Sequence, residues 1–133
     1  MKYKKSIIVI LLIALMLFIG VMIALYRLAM STGLPGRRGG PQDAFRHTYS
    51  TALTARYLSP RVVVFVTFAT ERDPASPFDK MDIHNNRIGT NIGLGKDDLY
   101  EAVMNKVKNG QINAADADIV TWLPKEKWDK DGY

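Results

Sequence analysis

Ser59-Pro60-Arg61-Val62-Val63-Val64-Phe65-Val66-Thr67-Phe68 is the stretch whose reading decides the fold. By propensity, the β-branched and aromatic run from Val62 to Phe68 reads as a buried strand. Its flank reads otherwise. Ser59 followed by Pro60 is a helix N-cap with proline at the first helical position. A strand also needs a partner, and no other segment alternates convincingly between apolar and polar residues. We therefore read Arg61 to Asp73 as a helix, buried on most faces, with Glu71 and Arg72 near its C-terminus. That assignment makes the fold class all-α.

The flanking segments agree with it. Pro41 and Asp43 suit a helix start, and Ser59-Pro60 closes that helix at about Leu58. Phe45, Tyr49, Ala52 and Leu53 form its core stripe. Asp43, His47, Ser50, Thr51 and Thr54 lie opposite, with Arg46 at the edge. Ser76-Pro77 repeats the cap-plus-proline signal and opens a helix to about Ile92, ended by Gly93-Leu94-Gly95. Met81, Ile88 and Ile92 share its apolar face. Lys96-Asp97-Asp98 begins another, with acids in its first turn. Leu99, Val103 and Val107 face inward there, and Asn109-Gly110 ends it. Ala114 to Trp122 is predicted as a last short helix.

The N-terminal part is of another kind. Ser6 to Tyr26 is 21 residues without a charge, nearly all aliphatic. At about 1.5 Å per residue it matches the roughly 30 Å hydrocarbon thickness of a bilayer. A signal peptide carries a shorter apolar region and a small-x-small cleavage site, which Ala29-Met30-Ser31 does not supply. The expected organisation is a membrane anchor over residues 1–30 and a Gly/Pro-rich linker over 31–42. A helical domain follows over 43–123, then a charged tail over 124–133. Membrane lipid is the expected partner of residues 6–26. Lys2, Lys4 and Lys5 before the anchor favour a cytoplasmic N-terminus. The soluble domain is then expected outside the cytoplasm, on a bacterial inner membrane.

The net charge of +5 belongs to the membrane flanks, because residues 31–133 hold 14 Lys or Arg against 13 Asp or Glu. No basic stripe with interleaved aromatics speaks for nucleic acid. With no cysteine in the chain, disulfides and thiolate metal sites are excluded.

Two polar blocks stand out. Asp43 and His47 are four residues apart, so on a helix the carboxylate can orient or charge the imidazole. Asp82, Asn85, Asn86 and Gly89 fall at i, i+3, i+4 and i+7, one helical stripe. Asp and Asn are poor helix formers, and a solvent face would more naturally carry Lys, Glu and Gln. Gly89 and Gly93 on that stripe would let another helix approach. The stripe therefore reads as a buried polar face that needs partners, with Arg46, His47 and Glu71 as sources. His84 points roughly opposite Asp82. No His-Glu-x-x-His and no Gly-x-Ser-x-Gly is present, so the residues name neither a metal nor a cofactor.

Asp43-Ala44-Phe45-Arg46-His47 with Met81-Asp82-x-x-Asn85-Asn86-x-x-Gly89 resembles a largely uncharacterised bacterial helical domain. That domain occurs in small secreted or membrane-anchored proteins and at the C-termini of polymorphic-toxin-like proteins. Its pattern is D-A-F-R-H-A-x-W, then A-H-E, then M-D-x-x-N-N-x-x-G, and the resemblance covers about residues 42–112. It implies site roles for Arg46, His47, Glu71, Asp82, Asn85 and Asn86. The chain departs in the middle block, where Thr70 replaces His, and Tyr49 stands about where Trp is expected.

Two functions fit these residues. In the first, the domain is an envelope hydrolase acting on lipid or another envelope component. His47 is then general base or metal ligand, and Arg46 stabilises negative charge. Glu71, Asp82, Asn85 and Asn86 position substrate, water or a cation. In the second, the same groups form a buried network, and the surface binds a protein partner in a secretion, toxin or immunity system.

Overall fold

The computed structural model describes residues 2–71, 73 and 75–129. Residues Arg72, Pro74 and 130–133, which enter the sequence-based assignments, lie outside the described residues. Five helices dominate: α1 (Lys2–Ser31), α2 (Pro41–Tyr57), α3 (Pro60–Thr70), α4 (Pro77–Leu94) and α5 (Leu99–Lys108). The fold is all-α, a long apolar N-terminal helix followed by a small helical domain. Lys4–Ser31 is long and apolar enough to cross a membrane.

The decisive stretch is helical, as its cap requires. The Ser59 side chain accepts a hydrogen bond from the Arg61 N–H, and Pro60 occupies the first turn. Its burial is the correction. Only Val63 is buried, while Val64, Phe65 and Phe68 are 68%, 70% and 81% exposed. The domain is too small to wrap α3, which packs against α2 and α4 and leaves its other faces open.

The core forms between α2, α4 and α5. Phe45 stacks on Tyr49 and meets Tyr100 edge-on, with ring centroids 5.4 and 5.7 Å apart. Val103, Val107 and Val120 fill the space beneath. The largest interface joins α2 to α4, and two glycines make it possible. A Cβ at Gly89 would overlap Thr51 Oγ1 and the Thr48 carbonyl, and one at Gly93 would overlap the Ala52 carbonyl. The two helices therefore approach backbone to backbone at these glycines, where any other residue would hold them apart.

Three further expectations change. Residues 32–40 are a folded loop against the domain, not a free linker. Ala29 is buried in the core and Leu34 packs on it. The backbone is tied by Gln42 N–H to the Pro35 carbonyl and Asp43 N–H to the Gly36 carbonyl. Gly36 and Gly39 hold φ near +75°, a conformation glycine adopts without a Cβ penalty. Ala114 to Trp122 is not a helix. Gln111–Ile112 (β1) pairs in parallel with Thr121–Trp122 (β2), because the Asn85 amide takes both backbone groups of Thr121. A tertiary partner has outbid a weak local propensity there. The start of the tail is also ordered. Lys125–Lys127 form a 3₁₀ turn, Trp128 donates to the Leu123 carbonyl, and Asp129 accepts from the Arg38 N–H.

Gly89→Ala forces α2 and α4 apart and should cost about 3 kcal/mol or more. Thermal unfolding of the full chain in detergent, followed by circular dichroism, measures this. A variant of unchanged stability would contradict the close approach.

Candidate functional site

Helix α2 presents Asp43, Arg46 and His47 on one face, at i, i+3 and i+4. Asp43 lies in the first turn, where the helix N-terminus favours an anion. The folded loop adds a donor: Gly39 N–H reaches Asp43 Oδ2 at 2.7 Å. Arg46 is ion-paired to Asp43 Oδ1. Asp43 is thus buried with both oxygens engaged and held in one orientation.

Asp82 faces this group from α4. His47 Nε2 lies 3.6 Å from Asp43 Oδ1 and 3.4 Å from Asp82 Oδ2. The imidazole sits between two carboxylates, at separations long for a hydrogen bond. Asp82 Oδ1 is buried without a hydrogen-bond partner, and so is Asn86 Oδ1. Asn86 lies close enough to His47 to favour its protonated form, but its Oδ1 makes no hydrogen bond of good geometry.

The charges are poorly balanced. Burial pushes Asp82 up to about 9, and neighbouring Asp43 and Glu71 add to it, with Arg46 opposing. Burial also lowers the His47 pKa, against the pull of Asp43. Glu71 is raised by burial, partly offset by a hydrogen bond from Thr70. A group of acids and an imidazole is therefore enclosed with too little positive charge.

Asp43, Arg46, His47 and Asp82 line a pocket of about 560 Å³, with Thr70 and Glu71 on another wall. That size suits a small-molecule group. Tyr26 from the end of the apolar run also lines it, as do Arg37 and Arg38 from the folded loop.

The Asp/Asn stripe of α4 divides by role. Asp82 enters the pocket. Asn85 is fully buried elsewhere, donating to the Thr121 carbonyl at 2.8 Å and accepting from its N–H at 2.9 Å. Asn86 donates to Thr67 Oγ1 at 3.0 Å and ties α3 to α4. Asn85 is a clamp on β2, not a pocket residue. His84 bonds the Ile119 carbonyl, away from the pocket. Sequence reasoning missed Tyr26, Arg37 and Arg38. The two arginines were legible only as membrane-flank charge, since nothing in a Gly/Pro-rich stretch announces that it folds back.

No known family profile matches the chain, and no similar curated protein or solved structure is found.

Two substitutions separate these roles in the full chain with chelator present. Asn85→Ala strands two backbone groups of Thr121 and should lower stability by about 3 kcal/mol. Asp82→Asn should raise it, by about 1 kcal/mol or more, and more at pH 8 than at pH 5. The sign follows from linkage. Unfolded Asp82 ionises near its ordinary value while the folded group holds its proton to about 9. The wild type therefore loses stability across that interval as pH rises, and the variant does not. Equal losses in both variants, read by thermal unfolding, would make Asp82 a structural residue.

Proposed function

We propose that this chain is a membrane-anchored hydrolase acting on a lipid headgroup, or another envelope component, at the bilayer surface. The observation that carries the reading is the pocket itself. Asp43, His47 and Asp82 share it with Tyr26, the last residue of the uncharged run. If Lys4–Ser31 spans the bilayer, the pocket lies at the headgroup level. The α1 helix enters the domain directly, with Ala29 in the core, so no flexible spacer lifts the site away. The lysines clustered before the apolar run favour a cytoplasmic N-terminus and a domain outside it, on a bacterial inner membrane.

The trio supports water activation. Burial keeps the imidazole neutral, which leaves a lone pair on the ring. A water oxygen bonds to the carbonyl or phosphorus centre as its proton passes to the trio. The bond to the leaving oxygen breaks, and the proton returns to that oxygen. Arg46 stands beside the trio to offset the charge that develops. The likeness to the bacterial domain of secreted and toxin-like proteins is compatible with this reading.

Helix α3 supports the membrane orientation. Its C-terminal end, Thr70, lines the same pocket as Tyr26, and Val64, Phe65 and Phe68 stand exposed. No acidic residue occurs between Asp43 and Glu71, and Arg61 stands at the start of the helix, whereas Arg56 is taken up by the carbonyls at the end of α4. An apolar face with a basic flank beside an anchor suits the interface of an anionic bilayer.

One observation favours the second reading, a non-catalytic interaction module. Thr70 occupies the position where the resembled family has His, and it bonds its neighbour Glu71 instead of reaching across to the trio.

Full-length chain in liposomes, compared with His47→Ala, should hydrolyse a phospholipid or cell-wall substrate with at least a hundredfold loss in the variant. Equal rates would overturn the assignment. The chain has no cysteine, so spin labels at Phe65→Cys and Glu101→Cys report position without background. The Phe65 label should be open to oxygen and closed to an aqueous nickel complex, and the Glu101 label the reverse. Protection that appears only at high protein-to-lipid ratio would assign the α3 face to a second copy of the chain.

A further inference from the structure

We propose that Asp43, His47 and Asp82 bind a single divalent transition-metal ion of zinc-like size. Among the described residues, these three form a group whose ligand atoms all lie within 4.8 Å of one another. Their spacing is informative. Zn–N and Zn–O bonds are about 2.0–2.2 Å, so two ligands of a tetrahedral ion lie about 3.3–3.6 Å apart. His47 Nε2 is 3.4 Å from Asp82 Oδ2 and 3.6 Å from Asp43 Oδ1. These distances are long for direct hydrogen bonds and fit the edges of a coordination tetrahedron.

Three further features point to a cation. Asp82 is only 8% exposed, lines the pocket, and leaves Oδ1 without a partner. Two buried acids face each other across an imidazole, an arrangement that a divalent charge would neutralise. Asp43 is held from behind by the Gly39 N–H on Oδ2, the kind of outer support that fixes a ligating carboxylate, and its Oδ1, the atom facing the imidazole, would be shared between the ion and Arg46.

Three protein ligands leave the fourth position to the pocket, the pattern of a catalytic site. The inference rests on the hydrolase reading and specifies how the trio holds its water. The Nε2 lone pair would go to the ion, the Asp82 carboxyl would release its proton to solvent as the ion binds, and the ion would lower the pKa of its bound water, whose proton leaves through the open pocket. Arg46 then adds to the positive charge that meets an anionic headgroup.

The test uses full-length chain in nanodiscs, stripped with chelator and titrated with Zn²⁺ and with Mn²⁺ by calorimetry, with thermal unfolding in parallel. One equivalent should bind with a Kd below about 10 µM and raise Tm. His47→Gln and Asp82→Asn, both checked for folding by circular dichroism, should each weaken binding at least tenfold and lose the Tm rise. His84→Gln should bind as wild type. No binding by folded wild type, or unchanged binding in both site variants, overturns the proposal. Hydrolysis that depends on His47 but persists in chelator would remove the metal and leave the hydrolase. Stoichiometric binding at the trio without hydrolysis of any substrate would keep the metal and remove the hydrolase.

Discussion

Helices α2 and α4 approach so closely because Gly89 and Gly93 carry no side chain into the Thr48–Ala52 backbone. Everything distinctive about the domain depends on that contact. It carries Asp82 across to His47, stacks the small residues of α2 against α4, and leaves the larger side chains of α2 free to build the core with α5. Helix packing usually separates axes by about 8–10 Å, with side chains between. Here the contact is reduced to glycine on one side, so Asp82, about two turns from Gly89, is brought within reach of His47.

The same contact encloses charge. Asp43 is satisfied by its loop and by Arg46, but Asp82 is not. A domain selected for stability alone would replace such a carboxylate by an amide or an aliphatic residue. Asn85, one turn further along, shows what a structural polar residue looks like in this fold: both its amide groups are paired with one backbone unit. The contrast within a single helix face separates a clamp from a site. The apolar N-terminal helix gives the site a setting, since its last turns are built into the domain and Tyr26 shares the pocket wall.

Much of this was legible in the sequence because it is locally encoded. Caps and prolines at Ser59-Pro60 and Ser76-Pro77 mark helix starts that no tertiary contact overrides. The i, i+4 spacing of Asp43 and His47, and the stripe of Asp82 with Gly89, are properties of a helix alone. The rest depends on contacts that periodicity does not encode. Residues 114–122 follow Asn85, not their own propensity. The loop at 32–40 folds because Gly36 and Gly39 accept positive φ and their neighbours find carbonyl partners. An apolar run such as 62–68 states that it avoids water, without stating whether protein or another apolar phase receives it. Asn85 could not be told from Asp82 by spacing, since both lie on one stripe and differ only in what stands opposite.

His47 of α2 and Asp82 of α4 form one physical unit. A double-mutant cycle tests it most directly, using His47→Gln, Asp82→Asn and the double variant of the full chain in nanodiscs, unfolded thermally with chelator present. Residues in contact couple by about 0.5–3 kcal/mol, whereas distant ones add independently. A coupling of about 1 kcal/mol or more is expected. Additive effects would show that the two side chains do not meet, and would contradict it.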